Sequence, residues 1–264
     1  INCSASHARV ISMISGRLAE QQKYSVMAHG CCMKVYGYNS VVEALKAGKA
    51  GKLYVSRSTN PKILKVIEKA RRTGIPVYTV KNLPGNEKIA ADVSPIKYVD
   101  SDLIIEKALR ENKFILVLDN VQDPQNLGAC IRTAEFFGCA GVIIPKRRAA
   151  QVTGSVIKAS AGAAFHINIA REENFASFAK KLKKYGLYLV GAAEVDGEDI
   201  LKVDLSPPVT IALGGEDKGI SAPLRKQCDV IIKIPGFGKV GSLNLSVAAG
   251  ILMYESMRRA LKNR

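Results

Sequence analysis

The chain has 264 residues, of which 47% are hydrophobic and 23% are charged, and this composition excludes a largely disordered chain. No apolar run approaches the roughly 20 residues that a membrane-spanning helix requires. Lys and Arg number 39 against 23 Asp and Glu, and the excess of +16 is divided into +10 over residues 1–110 and +6 over the remainder. A basic excess in both halves predicts a polyanionic partner such as nucleic acid.

Six cysteines show no spacing typical of disulfides or of zinc sites, and Cys-x-x-Cys does not occur. Cysteine usage therefore favours a reducing cytoplasm and predicts no bound metal. Residues 1–33 lack the apolar core of a secretory signal peptide. Their low acid content leaves two alternatives open for this extension, a targeting segment or disorder.

The first predicted strand lies at 34–38, and alternation of strands and helices continues from there. The elements predicted next are a helix at 40–47, a strand at 52–56, a helix at 61–73, a strand at 75–80 and a connecting helix at 102–112. This pattern indicates a small α/β unit over 34–100 and a linker helix over 101–112.

A second α/β unit is predicted from residue 113 to the end. Its first strand, 114–118, is continuously apolar, as expected where helices cover both faces of a sheet. Later strands are predicted at 141–145, 187–191, 209–213 and 230–235, and helices at 126–137, 155–163, 175–185 and 243–261. Repeated alternation indicates a parallel sheet.

Three loops of the second unit are rich in Gly, Asn and carboxylates, and each follows a predicted strand. Because ligands bind beyond the carboxyl ends of strands in open α/β sheets, these loops are expected to converge. The first runs into N-L-G-A-C-I-R-T-A at 126–134. Asn126 is suited to cap the helix that follows, and Arg132 is either a surface charge or an anchor in a cleft.

The second loop carries L-G-G-E-D-K-G-I-S at 213–221, where paired glycines allow a ligand close to the backbone or simply form a turn. The third is I-P-G-F-G-K-V-G-S-L-N-L-S at 234–246, which contains G-x-G-x-x-G. Only 23 residues follow Gly241. They leave no room for the second strand of a dinucleotide-binding unit, so the pattern disfavours an NAD or FAD site.

Taken together, the three segments resemble the motifs of the SpoU family of RNA ribose 2′-O-methyltransferases, within the SPOUT superfamily, over about residues 113–262. The segment V-Y-G-Y-N-S-V-V-E-A-L at 35–45 is similar to the start of the family's L30e-like RNA-binding domain. The resemblance implies a knotted (trefoil) parallel-sheet domain at 113–264, an α/β substrate domain at 34–100, a homodimer and bound S-adenosyl-L-methionine. Gly236 departs from the Met that relatives often carry.

The resemblance also implies the site residues. The nominated catalytic residues are Asn126, Arg132, Glu216, Ser242 and Asn244. The nominated cofactor contacts are Leu213, Gly214, Gly215, Ile234, Gly238 and Leu243. In this family, the arginine at this motif position is often described as the base that removes the proton. Because a guanidinium stays protonated, we expect Arg132 instead to bind the substrate phosphate and stabilise the developing alkoxide, while Ser242 and Asn244 position the ribose.

The expected activity is methylation of a ribose 2′-hydroxyl in RNA, which excludes DNA because the reacting hydroxyl is absent there. The two-domain plan resembles the ribosomal branch of the family, which implies a guanosine of large-subunit ribosomal RNA. The alternatives are a transfer-RNA ribose, an adenosine as in resistance enzymes, and a non-catalytic RNA-binding protein of ribosome assembly.

Overall fold

Two β-sheets organise the part of the chain that the computed structural model describes, residues 32–147, 149–215, 218–239 and 241–262. The predicted extension at 1–33 lies outside these ranges except for its last two residues. Glu216 also lies outside them.

Four strands and two helices form the first α/β unit. They are β1 (Met33–Tyr36), α1 (Tyr38–Lys46), β2 (Ala50–Ser56), α2 (Pro61–Arg72), β3 (Val77–Val80) and β4 (Ile89–Val93). The strand order is β1-β4-β2-β3, in which β4 is antiparallel to both neighbours and β2 is parallel to β3. Strand β4 was not predicted, because a segment with two alanines and an aspartate has a weak intrinsic strand preference and is extended through pairing on both sides.

A seven-stranded sheet organises the second unit. Its elements are α3 (Ser101–Glu111), β5 (Ile115–Asp119), α4 (Pro124–Phe136), β6 (Gly141–Pro145), α5 (Gly154–Ala159), β7 (Ile169–Glu172), α6 (Phe175–Lys184), β8 (Tyr188–Ala192), β9 (Glu198–Asp199), β10 (Val209–Gly214), α7 (Ala222–Arg225), β11 (Val230–Lys233) and α8 (Leu245–Lys262). All neighbouring strands are parallel, which confirms the predicted sheet. Strands β7 and β9 were missed; both are short and lie at the sheet edges.

The strands are arranged in the order β7-β6-β5-β10-β8-β11-β9. The sequence in which the chain adds strands to the sheet switches sides between β5 and β10, although the strands themselves stay parallel. The chain runs outward from β5 through β6 to β7, and β10 later returns to the other side of β5. At the carboxyl ends of these two central strands, Gly214 lies opposite Asp119. A switch of this kind opens a crevice at the strand ends, where open α/β sheets bind their ligands.

The cores of the two units are continuous. Val35 and Leu53 of the first unit belong to the same buried apolar cluster as Leu116 and Ile131 of the second. Gly154 permits close contact between them, because a Cβ at this position would stand 2.5 Å from the carbonyl oxygen of Lys34. In the described part of the chain, no helix is both long and apolar enough to cross a membrane.

Candidate active site

The helix of the first motif is capped by Asp123. Its carboxylate accepts hydrogen bonds from the backbone N–H groups of Gln125 and Asn126, each over 3.1 Å, and Pro124 occupies the first helical position. The prediction that Asn126 caps this helix is therefore wrong. The helix begins earlier than its apolar pattern suggests because proline is well suited to a first turn, where its missing N–H costs nothing.

Asn126 instead contacts the third motif. The side-chain amide of Asn244 donates a hydrogen bond to Asn126 Oδ1 over 3.2 Å. Asn244 Oδ1 accepts from the backbone N–H of Ser246 over 2.9 Å and from its hydroxyl over 2.6 Å, which is the hydrogen-bond pattern of a helix cap. Asn244 therefore both begins α8 and joins it to α4.

The second motif closes onto the end of β5 through Asp119, a buried carboxylate. The backbone carbonyl of Asp119 accepts from Gly215 over 2.9 Å, and Asp119 Oδ2 accepts from the N–H of Ser221 over 2.8 Å. Asn120 donates to the carbonyl of Gly219 over 3.2 Å. Asp119 is not among the site residues predicted from the sequence, although a carboxylate that closes an otherwise apolar strand is a usable signal.

The paired glycines serve this closure directly. A Cβ on Gly214 would stand 1.8 Å from the carbonyl carbon of Gly219, and a Cβ on Gly215 would stand 2.3 Å from the carbonyl oxygen of Asn120. The two glycines therefore allow segments of the protein's own backbone to pack closely against each other. Leu213 is buried in the core and lies opposite Leu118 in the sheet.

The third motif forms an open loop between β11 and α8. Ile234 is half-buried, whereas Gly238, Ser242 and Leu243 are exposed. No atom lies within 4 Å of the position that a Cβ on Gly238 would take. Within the described residues of 234–243, no peptide group hydrogen-bonds to another peptide group. The loop therefore presents backbone donors and acceptors together with some apolar surface.

Arg132 lies apart from the contact between the two asparagines. It is exposed on α4, about 9 Å along the helix axis from Asn126. Its guanidinium makes no hydrogen bond or ion pair with any residue that the structure describes. It lines a groove of about 620 Å³ between the two units, together with Glu43 and His166. Arg132 is therefore separated from the predicted residues that the structure joins, Asn126 and Asn244, and Glu216 lies outside the described residues.

A polar link crosses this groove. His166 Nε2 lies 2.9 Å from Glu43 Oε2, and Lys46 donates to Glu43 Oε1 over 2.8 Å. Burial opposes ionisation of Glu43, but the hydrogen bonds from Lys46 and His166 outweigh it and hold the pKa of this carboxyl below its ordinary value. The pair was not predicted, because 123 positions separate the two residues. Among the described residues, no group of three or more His, Cys, Asp or Glu side chains is arranged to hold a metal ion.

The sequence matches known families in both units. Residues 113–254 match the model of the SpoU rRNA Methylase family, and residues 34–82 match the model for RNA 2′-O ribose methyltransferase substrate binding. The fold and its motifs define an RNA methyltransferase. The first model matches more than half of the chain, so the chain belongs to the SpoU rRNA methylase family. The resemblance found in the motifs is confirmed.

Individual relatives match most of the chain. It is 54% identical over 227 residues to an uncharacterized tRNA/rRNA methyltransferase of Archaeoglobus fulgidus, covering 86% of this chain and 99% of the relative. It is 34% identical over 239 residues to the 23S rRNA (guanosine-2′-O-)-methyltransferase RlmB of Pseudomonas putida, covering 86% and 96%. The AdoMet-bound rRNA methyltransferase of Sinorhizobium meliloti shares the fold, with a TM-score of 0.70, 26% identity, and coverage of 86% and 87%.

Proposed function

We propose that this chain transfers the methyl group of S-adenosylmethionine to the 2′-hydroxyl of a guanosine in large-subunit ribosomal RNA. Two contacts support the proposal: the second motif closes onto the end of β5 through Asp119, and the first and third motifs meet through Asn126 and Asn244. The RlmB relative, which acts on a 23S rRNA guanosine, supports this substrate.

The loop between β11 and α8 suits the adenosine part of the cofactor. Its peptide groups are available to an adenine edge, and the open space around Gly238 leaves room for a ring. Ile234 and Leu243 add apolar surface, while the backbone of Leu213, Gly214 and Gly215 forms the neighbouring wall. When bound, S-adenosylmethionine would supply an electrophilic methyl group for transfer to the ribose oxygen, with its sulfur leaving as a neutral thioether.

The residues of this chain orient the ribose and stabilise charge. Ser242 and Asn244 lie at the start of α8 and position the ribose hydroxyl, with Asn126 fixing the Asn244 amide. Arg132 keeps its proton, so the hydroxyl proton passes to solvent. Because Arg132 lies apart from the contact between Asn126 and Asn244, its proposed role is to bind a substrate phosphate, and stabilisation of the developing alkoxide by this residue stays a prediction of the family resemblance. We retain Glu216 among the proposed catalytic residues.

The proposal also assigns the organisation of the chain. Residues 34–100 bind the substrate RNA, 101–112 link the units, and 113–264 form a catalytic domain with a trefoil knot. The protein is proposed to act in the cytoplasm as a homodimer. Exposed apolar side chains on α4 and α8 support the dimer, since Phe136 is 79% exposed and Tyr254 is 51% exposed, and large apolar patches commonly mark interfaces.

A labelled-methyl assay tests the function. The protein is incubated with S-adenosylmethionine and either ribosomal or transfer RNA, and the 2′-O-methyl sites are mapped. We expect transfer to a guanosine of large-subunit RNA and loss of transfer with Arg132→Ala. Transfer to transfer RNA, or to an adenosine, would contradict the proposed substrate. RNA binding without any transfer would identify a non-catalytic assembly protein.

A further inference from the structure

Three tyrosines lie in one row across the first sheet. In the strand registers, Tyr36 is opposite Ala90, Ala90 is opposite Tyr54, and Tyr54 is opposite Tyr78. Side chains directly opposite one another on adjacent strands share a face of the sheet. The intervening positions, such as Val35 on β1, point to the other face and are buried in the core. The tyrosines therefore occupy the face that is turned away from this core.

Two of these rings are already arranged for stacking. The Tyr54 and Tyr78 rings are 5.7 Å apart at their centroids and inclined by 24°. Tyr54 is held in place, because its hydroxyl donates to Asp92 Oδ2 over 2.7 Å and Lys34 Nζ lies 4.1 Å from its ring centroid. Tyr78 is 48% exposed, and its hydroxyl makes no hydrogen bond in the described chain. One tyrosine is thus a fixed support, and the other presents an accessible ring.

The charges beside the tyrosines are mainly positive. Lys34 and Lys52 both lie opposite Asp92, one on each neighbouring strand. Asp92 is engaged by the Tyr54 hydroxyl and by Lys34, whose ammonium lies 3.6 Å away. Lys52 is exposed and forms no ion pair among the described residues. Exposed aromatic rings beside unpaired cations suit a single-stranded nucleic acid, in which bases stack and phosphates require neutralisation.

We propose that this face is a stacking platform for a single-stranded segment of the RNA substrate. Tyr78 stacks on an unpaired base, the ring of Tyr54 stacks against Tyr78 and holds it in place, and Lys52 contacts a phosphate. The proposal rests on the proposed function insofar as RNA is the partner. It adds a second contact region, formed by residues other than those proposed for methyl transfer.

The test is binding of a fluorescein-labelled single-stranded adenosine heptanucleotide to the full chain, followed by anisotropy without S-adenosylmethionine. Tyr78→Ala should weaken binding about 5- to 150-fold, as expected for loss of one stacked base. Tyr78→Phe should retain the wild-type affinity, because stacking needs the ring and not the hydroxyl. Tyr185→Ala is the matched control, since Tyr185 is 40% exposed on the second unit, and it should change little.

A second pair of variants tests the phosphate contact. Lys52→Ala should reduce the slope of log affinity against log salt by about 0.7, the value for one contact with a single strand, whereas Lys65→Ala on the exposed side of α2 should not. The platform is refuted if Tyr78→Ala binds like wild type, if Tyr78→Phe loses as much as Tyr78→Ala, or if the control loses as much. Unchanged RNA affinity with altered self-association would assign the face to a protein contact instead.

The oligonucleotide assay does not depend on methyl transfer, so the two proposals can fail separately. An inactive enzyme with Tyr78-dependent binding would contradict the catalytic proposal alone. With an active enzyme, Tyr78→Ala should raise the KM for ribosomal RNA and leave kcat at saturating RNA unchanged.

Discussion

The side chains of Asn126 and Asn244 are joined by a 3.2 Å hydrogen bond across 118 positions of sequence. Each side chain belongs to a different motif, and each lies at the start of a helix that packs on the other. Because Asn244 also caps α8, the same residue determines where the last helix begins and holds the third motif against the first. The contact therefore couples the position of α8 to the crevice beyond β5.

Replacing Asn244 separates these two roles. Asn244→Ser keeps a capping oxygen but is too short to reach Asn126, so we expect near-wild-type stability and a 10- to 100-fold loss of methyl transfer, about 1.4–2.7 kcal/mol. Asn244→Ala should lose similar activity and also about 0.5–2 kcal/mol of unfolding free energy. Urea unfolding and methyl-transfer rates measure the two effects. Full activity of the serine variant would show that the contact with Asn126 is dispensable.

Arg132 should matter for activity and not for stability. Its exposed guanidinium has no partner in the described chain, so Arg132→Ala and Arg132→Lys should both unfold within about 0.5 kcal/mol of wild type. The lysine variant keeps the charge but loses bidentate geometry, and we expect it to remain at least 10-fold below wild type in kcat/KM for RNA. If Arg132→Lys retains most of the activity, bidentate binding of the phosphate is not essential.

Gly214 should be intolerant of any side chain. A Cβ there would stand 1.8 Å from the backbone of Gly219, so Gly214→Ala forces a backbone shift that we expect to cost about 3 kcal/mol or more. Gly236→Ala is the matched control, because nothing lies within 4 Å of its Cβ position. Thermal melts compare the two proteins. Equal melting temperatures would mean that the closure of the second loop onto β5 is not rigid.

Glu255 should make stability depend on pH. The pKa of Glu255 lies below its ordinary value of 4.5, and the main cause is its hydrogen bonding with Arg258. Burial of the carboxylate opposes this lowering, and the hydrogen bond from Arg259 adds to it. A lowered pKa contributes stability above the unfolded pKa, and the contribution is lost as pH falls through the folded value.

Glu255→Gln removes the negative charge that Arg258 and Arg259 both contact on α8; the Glu255 carboxylate is 10% exposed. Three charged hydrogen bonds reach this carboxylate, so we expect a loss at pH 7 of at least about 1.5–3 kcal/mol, the value of one such bond. Below the lowered pKa of Glu255 both proteins carry a neutral side chain, so the difference in unfolding free energy should vanish there. Chemical denaturation between pH 7 and pH 3 measures the difference in unfolding free energy between the variant and the wild type. If this difference does not change with pH, the loss of stability comes from packing and not from the charge.

Local patterns were sufficient for most of the fold. The apolar run at 114–118 and the helices predicted at 61–73 and 175–185 carry their own signals, since periodicity and helix ends depend on neighbouring residues. Strands β4, β7 and β9 carry weak signals and exist through pairing with partners distant in sequence. The cap of α4 was misassigned because Asp123 and Asn126 are both good capping residues and only the position of Pro124 distinguishes them.

The sequence by itself determined the alternation of strands and helices, the basic character of both units and the ordered motifs that mark the family. Only the tertiary structure decided that Asp119 closes the second loop and that Asn126 meets Asn244. It also decided that Arg132 lines a groove with Glu43 and His166, and that three tyrosines share one sheet face. The physical reason is distance along the chain. Hydrogen-bond partners and strand neighbours separated by 100 residues leave no local periodicity, whereas helices, turns and burial are shaped by residues a few positions apart.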